Sequence, residues 1–420
     1  MLDRSIPPSV GELSGFEFIR AHSSKISSGI PLHLIESGHH DIVLVEFIFR
    51  SGKWYEGQPG ISFFSSRMLM EGSGSMTSRE IADFFESHGA RFEIQTGSDL
   101  VIFSVYVLNK NFEKVIGVLN ELFLHPLYPR EELEIMKEIQ IQQIRVNDKK
   151  NNIRAGKEFR KLIYGGEHPY GRALEIRDIE KYITAENLQD YYRRQLLSGM
   201  EIVLSGKLNS RMTGALEIFS GIPIITGQEP ASVFRYPDIT EKRIPVDDSS
   251  QISIRYGRRI IHKNHEDHAS LVVLNELLGG FFGSRLMKNV REDKGYTYGI
   301  HSSLVHQIRD SYWIIGTDVK KESAEDTLWE IRHEFKRLRD ESVDSEELEM
   351  VRNYLMGNFL SSIETSFSLA DKFKNIYFFN LGYEYYDNYL DSLRSISSGR
   401  IREMANKYLD DDEFRLVMVG

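Results

Sequence analysis

The chain has 420 residues, with 52 Lys and Arg against 62 Asp and Glu, a formal net charge of −10. That acidic balance argues against a broad nucleic-acid surface, and 41% hydrophobic with 27% charged residues is the composition of a folded chain rather than a disordered or membrane one. Cysteine is absent, which excludes disulfides, thiolate zinc sites, iron–sulfur clusters and a cysteine nucleophile, so any metal must be held by histidine and carboxylate.

The opening MLDRSIPPSVGELSG lacks the basic-then-apolar pattern of a secretion signal, and no stretch approaches ~18 uninterrupted apolar residues. The expectation is therefore a cytoplasmic chain without membrane contact. Val101 to Val107 reads as a strand, and Phe112, Val115, Ile116, Leu119, Leu122 and Phe123 follow the three-and-four spacing of a half-buried helix. A long helix opens at EELEIMK, Glu131 to Lys137, and the same pattern returns as EELEMVR at Glu346 to Arg352, an offset of 215 residues. The elements before the second copy repeat those before the first: a strand over Tyr312 to Thr317, then a helix over Glu322 to Arg339. Between the halves, Pro223, Pro230, Pro237 and Pro245 punctuate a polar stretch of little periodicity. These features predict an α+β chain of two homologous domains, each a mainly antiparallel sheet with helices packed on one face. The first domain is expected at 1–225 and the second at 246–420, with a linker at 226–245.

Three segments of the second half invite a chemical reading. His262, His265 and His268 in HKNHEDH offer imidazoles, but at helical geometry successive threes drift by about 60° around the axis, and the segment reads as a polar start to the helix that follows. Gly279-Gly280-Phe281-Phe282-Gly283 lacks the Lys-Ser/Thr of a phosphate loop and reads as a turn between helices. In Ser284 to Ile300 a helix ends near Gly295 and a strand begins, with Arg291 in the last helical turn and Tyr298 in the strand. A guanidinium and a phenol so placed are donors suited to a carbonyl oxygen or an oxyanion. Equally, the arginine would serve to cap the helix C-terminus.

The segment from Leu277 to Ile300 resembles the C-terminal signature of the pitrilysin/insulinase family of zinc peptidases, of the mitochondrial processing peptidase type. Its glycine-rich turn, Ser284-Arg285-Leu286 and the R-E-x-x-G-x-x-Y run carry the likeness. Three further stretches are similar to that family: His168-Pro169-Tyr170-Gly171-Arg172, Ser28 to Leu32, and Phe49 to Glu56. The resemblance covers nearly the whole chain and implies that Arg291 and Tyr298 bind peptide substrate.

One family motif is missing. Active members read G-x-x-H-x-x-E-H-x-x-x-x-G, with two histidines one helical turn apart and a glutamate base. Over Gly60 to Gly72 this chain has Phe63 and Arg67 at the histidine positions and Ser66 at the base; Gln143 stands at the third ligand. Phenylalanine has no lone pair, arginine is a fixed cation, and neither glutamine nor serine replaces a carboxylate. The expectation is no catalytic residue, no metal and no cofactor in this chain. By the resemblance, zinc would belong to a homologous partner subunit in a heterodimeric endopeptidase, with this chain contributing Arg291 and Tyr298 to peptide binding and transition-state stabilisation. Two alternatives remain at this point: a peptide-binding or structural core-type subunit with no hydrolytic partner, and, more remotely, a peptidase with a metal relocated to His262, His265 and His268.

Overall fold

The computed structural model describes residues 18–229 and 234–420. The opening segment through Glu17 and Pro230 of the proline-punctuated stretch lie outside the described residues. Two sheets organise the chain. The first is built from β1 His22–Lys25, β2 Pro31–Glu36, β3 Ile42–Phe49, β4 Arg91–Thr96, β5 Val101–Leu108 and β6 Glu201–Gly206, in the order β1-β2-β6-β3-β5-β4. The second holds β7 Glu241–Ile244, β8 Gln251–Arg259, β9 Thr297–His306, β10 Ser311–Lys320 and β11 Arg415–Val419, in the order β7-β11-β8-β10-β9. Apart from β1, the orders are the same: a parallel pair, β2 with β6 or β7 with β11, followed by antiparallel partners. The 215-residue echo is thus a repeat of topology, and the fold is the expected pair of α+β domains. β7 falls inside the stretch 226–245.

Strand patterning assigns the faces. Along β3, Val43, Val45, Phe47 and Phe49 turn into one core with Phe103, Val105 and the helix Phe112–Leu124. Tyr256, Trp313, Ile315 and Leu416 do the same in the second half against the helices Ala324–Asp340 and Ser398–Tyr408. The opposite face of each sheet carries one helix lent by the other half, which the sequence patterning did not announce. The helix Asn151–Tyr164 lies on β8 and β11, and Ser366–Tyr377 lies on β2 and β6. Phe159 and Leu162 seal the first contact with Tyr312 and Val417, while Leu369 and Phe373 seal the second with Ile48 and Val203. Gly257 on β8 has to be glycine: a Cβ there would stand 2.8 Å from the Phe159 ring and 2.1 Å from the Trp313 carbonyl.

Polar contacts join the halves as well. Arg309, in the β9–β10 turn, lies over the Trp54 ring and donates to buried Asp99 at 2.7 Å and to Glu229 at 2.7 Å. Asp99 also accepts from the Ile308 amide and the Tyr170 hydroxyl. Lys374 reaches across from its helix to Glu46 on β3 at 2.6 Å. No helix among the described residues is long and apolar enough to cross a membrane.

Candidate functional site

The helix α1, Ile61–Met68, carries the positions of the missing motif. It starts at Gly60, whose φ of 90° is a left-handed conformation that favours glycine. The first turn leaves backbone amides without helical partners. Glu56 supplies them, accepting from Gly60 N and Ser62 N at 3.1 Å each. Burial pushes the Glu56 carboxyl up, against the opposing pull of Arg172. Arg172 approaches that carboxylate to 3.4 Å and donates to the Lys53 and Glu56 carbonyls. Tyr191 closes the same loop by donating to Ser51 O at 2.5 Å. Two of the stretches quoted above as family matches, Phe49 to Glu56 and His168 to Arg172, are therefore the scaffold that seats α1. Sequence reading assigned them no role; a buried glutamate four residues before a helix start, with an arginine to balance it, was the available signal.

On α1 the motif positions are filled by one self-contained cluster. Arg67 folds back over the Phe63 ring, one turn earlier, with the guanidinium 3.7 Å from the ring centroid. It donates to Thr96 Oγ1 at 3.0 Å and to Phe63 O at 3.4 Å. Ser66, fully buried, pairs with the same Thr96 hydroxyl at 3.1 Å and with Phe63 O. Burial draws the Arg67 guanidinium below its ordinary value. Thr96, at the end of edge strand β4, ties the cluster to the sheet and was not singled out from sequence. Gln143 is exposed on the helix Arg130–Asp148, donating to Asn147 Oδ1 at 3.1 Å. A zinc ion does not fit this set. One position has no donor atom, one is a cation, and the cation occupies the space over the ring.

Arg291 and Tyr298 lie on consecutive elements of the second half, the π-helical turn Met287–Asp293 and the edge strand β9. Tyr298 is 95% exposed. The Arg291 guanidinium rests 4.5 Å over the Phe282 ring, and its carboxylate neighbour Glu292 is 3.9 Å away. No hydrogen bond joins Arg291 to Tyr298 among the described residues. Tyr298 stands outward on edge strand β9, with Arg291 half-buried on the helical turn before it. The Gly279 to Gly283 segment ends the helical run Glu276–Gly280 and turns the chain, placing exposed Phe282 under Arg291.

The histidines of HKNHEDH point apart. His262 Nε2 meets the Gln307 carbonyl, and His265 Nδ1 accepts from the Asp267 amide. His268, at the start of the helix His268–Asn275, pairs by its Nε2 with His306 of β9 at 3.0 Å. Among the described residues no group of three His, Asp or Glu side chains is arranged to hold a metal ion.

Comparison with known proteins identifies the family and the fold. Residues 33–166 match the family model described as Insulinase (Peptidase family M16), and residues 182–355 match Peptidase M16 inactive domain. A Bacillus subtilis protein named uncharacterized zinc protease YmxG is 23% identical over 361 residues, 84% of this chain and 86% of the relative. A Helicobacter pylori protein named non-peptidase homolog YmxG is 20% identical, covering 92% of this chain and 90% of its own. Among solved structures, a peptidase M16 inactive domain from Pseudomonas fluorescens superposes with a TM-score of 0.86 at 22% identity, covering 95% of this chain and 98% of that one. A protease from Helicobacter pylori superposes at 0.87 with 16% identity, covering 96% of this chain and 100% of that one. With the two family models spanning most of its length and side chains unsuited to zinc at the motif positions, the chain belongs to the insulinase family, peptidase family M16, as a member whose inverted zinc motif has been replaced.

Proposed function

We propose that this chain is the non-catalytic subunit of a heteromeric metallo-endopeptidase, in which a homologous zinc-bearing partner performs hydrolysis. The observation that carries the reading is an asymmetry. The positions for metal chemistry are filled by a packed Phe63–Arg67–Ser66–Thr96 cluster, while Tyr298 stands outward with its hydroxyl available to a ligand and Arg291 lies half-buried on the helical turn before it. In this reading, a peptide runs beside the edge of a sheet with its backbone paired. Arg291 and Tyr298 donate to a backbone carbonyl near the scissile bond, where one added donor is worth ~3 kcal/mol once charge develops on that oxygen. The names of the relatives, one a non-peptidase homolog and others zinc proteases, support division of labour within the family. Reconstitution tests it. The purified chain is mixed with a zinc-bearing relative from the same cell, and association and peptide cleavage are measured for each alone and together. A stable complex with cleavage above that of the relative alone supports the reading. A mixture no more active than the relative by itself favours a structural or peptide-holding role with no hydrolytic partner.

A further inference from the structure

Tyr298 sits on an irregularity of its strand. The pairing of β10 with β9 is regular from Ser311 opposite His306 to Thr317 opposite Ile300, and it resumes with Val319 opposite Thr297, so Tyr298 and Gly299 together face the single residue Asp318. That is a β-bulge, with the extra residue on β9. Its effect on the side chains can be counted. Ser302 and Ile300 are buried, and plain alternation would put Tyr298 on the same core side. Tyr298 is instead exposed, and Thr297 takes the inward place, its hydroxyl 3.0 Å from that of buried Thr317.

A bulge leaves backbone groups outside the ladder, and here two threonine hydroxyls take them up. Thr297 Oγ1 accepts from the Gly299 amide at 3.1 Å, and its own proton is within reach of the Asp318 carbonyl at 2.8 Å and the Gly299 carbonyl at 2.9 Å. Thr317 Oγ1 donates to the Gly299 carbonyl at 2.9 Å. Two hydroxyls, one from the buried middle of the sheet and one from the residue beside the tyrosine, thus hold the backbone of the bulge. The Tyr298 phenol, almost wholly exposed, has little packing of its own, so the backbone beneath it decides where it points.

We infer that Thr297 and Thr317 are positioning residues for Tyr298: their hydroxyls hold the β9 bulge that turns the phenol outward to a bound peptide. The inference rests on the reading that Tyr298 donates to a peptide carbonyl in a complex with a zinc-bearing partner. Neither threonine touches the peptide in this arrangement; each acts through the strand under the tyrosine.

The test has two parts. In the full chain alone, amide hydrogen exchange at Gly299 should be at least tenfold faster in Thr297→Val, which removes the hydroxyl at nearly constant volume, than in Thr297→Ser, which keeps it. In the reconstituted mixture with the zinc-bearing relative, Thr297→Val should lower kcat for peptide cleavage about tenfold, within the ~10² that a misplaced group can cost, with KM changed less than twofold; Thr297→Ser should keep most of the rate. In the Tyr298→Phe background, where the phenolic donor is already gone, Thr297→Val should change kcat less than twofold. Thr317→Val, on the other strand, serves as the second variant, and circular dichroism checks that each form is folded. Unchanged Gly299 exchange, full activity of Thr297→Val or of Tyr298→Phe, or an equal loss from Thr297→Val with and without the Tyr298 hydroxyl overturns the positioning role and leaves the subunit reading standing. A mixture to which the unaltered chain adds no cleavage overturns the subunit reading, and the role of the threonines falls with it.

Discussion

Phe63 and Arg67 act as a pair rather than as two separate losses. At i and i+4 on α1 they occupy the spacing that two zinc-ligating histidines use, and they convert it into a cation–π contact anchored on Thr96. Arg67→Ala should cost about 1 kcal/mol of stability, as expected for a partly desolvated cation–π pair with one hydrogen bond, read from urea unfolding. Because Gly60 and Glu56 still seat α1, the backbone is expected to present those positions as a metal-binding helix does. The fourfold variant Phe63→His, Ser66→Glu, Arg67→His and Gln143→Glu should therefore bind about one equivalent of zinc, against none for the unaltered chain, by metal mass spectrometry. A fourfold variant that folds without zinc would show that the scaffold itself has drifted.

The loop before α1 and the lent helices show what individual elements contribute. Glu56 balances Arg172 and caps two amides at once, so Glu56→Ala leaves two N–H groups unpaired and the half-buried guanidinium without its carboxylate, though still bonded to backbone carbonyls. A loss of about 3 kcal/mol is expected, visible as a lower urea midpoint with an unchanged slope. The histidine pair makes an acid-sensitive joint between the helix His268–Asn275 and β9. Both imidazoles are lowered from 6.5 to about 3 by burial, so below pH 6.5 the unfolded chain binds more protons than the folded one. Stability is then complete above about pH 6.5 and declines as pH falls towards 3. Replacing both His268 and His306 by Gln should flatten that decline in unfolding curves taken from pH 7 to 4. Sequence patterning read the strands and helices well where apolar spacing was strong, as in β5, β10 and the helices opening at Arg130 and Ser345. It read the metal positions from a motif alone. It missed Thr96 and the His268–His306 pair because they act through contacts with residues distant in the chain, which no local spacing records; Glu56 and Phe282 act on residues nearby in sequence, but through contacts that apolar periodicity does not register.

At the scale of the molecule, the two halves are bound by exchange. Each sheet has its outer face covered by a helix from the other half, so separating them would bare Tyr312 and Val417 on one side and Ile48 and Val203 on the other. Phe159→Ala, at the middle of one such contact and against Gly257, should cost about 3–5 kcal/mol and lower the midpoint of a single unfolding transition. The most direct measurement is the steady-state rate of peptide cleavage by a mixture of this chain with a zinc-bearing relative, using unaltered chain and Arg291→Ala at matched complex concentration. Division of labour predicts cleavage in the mixture that falls about 10²–10³-fold in kcat with Arg291→Ala, with complex formation and unfolding unchanged. Full activity with Arg291→Ala, or zinc bound at one equivalent and cleavage by this chain alone, would contradict it.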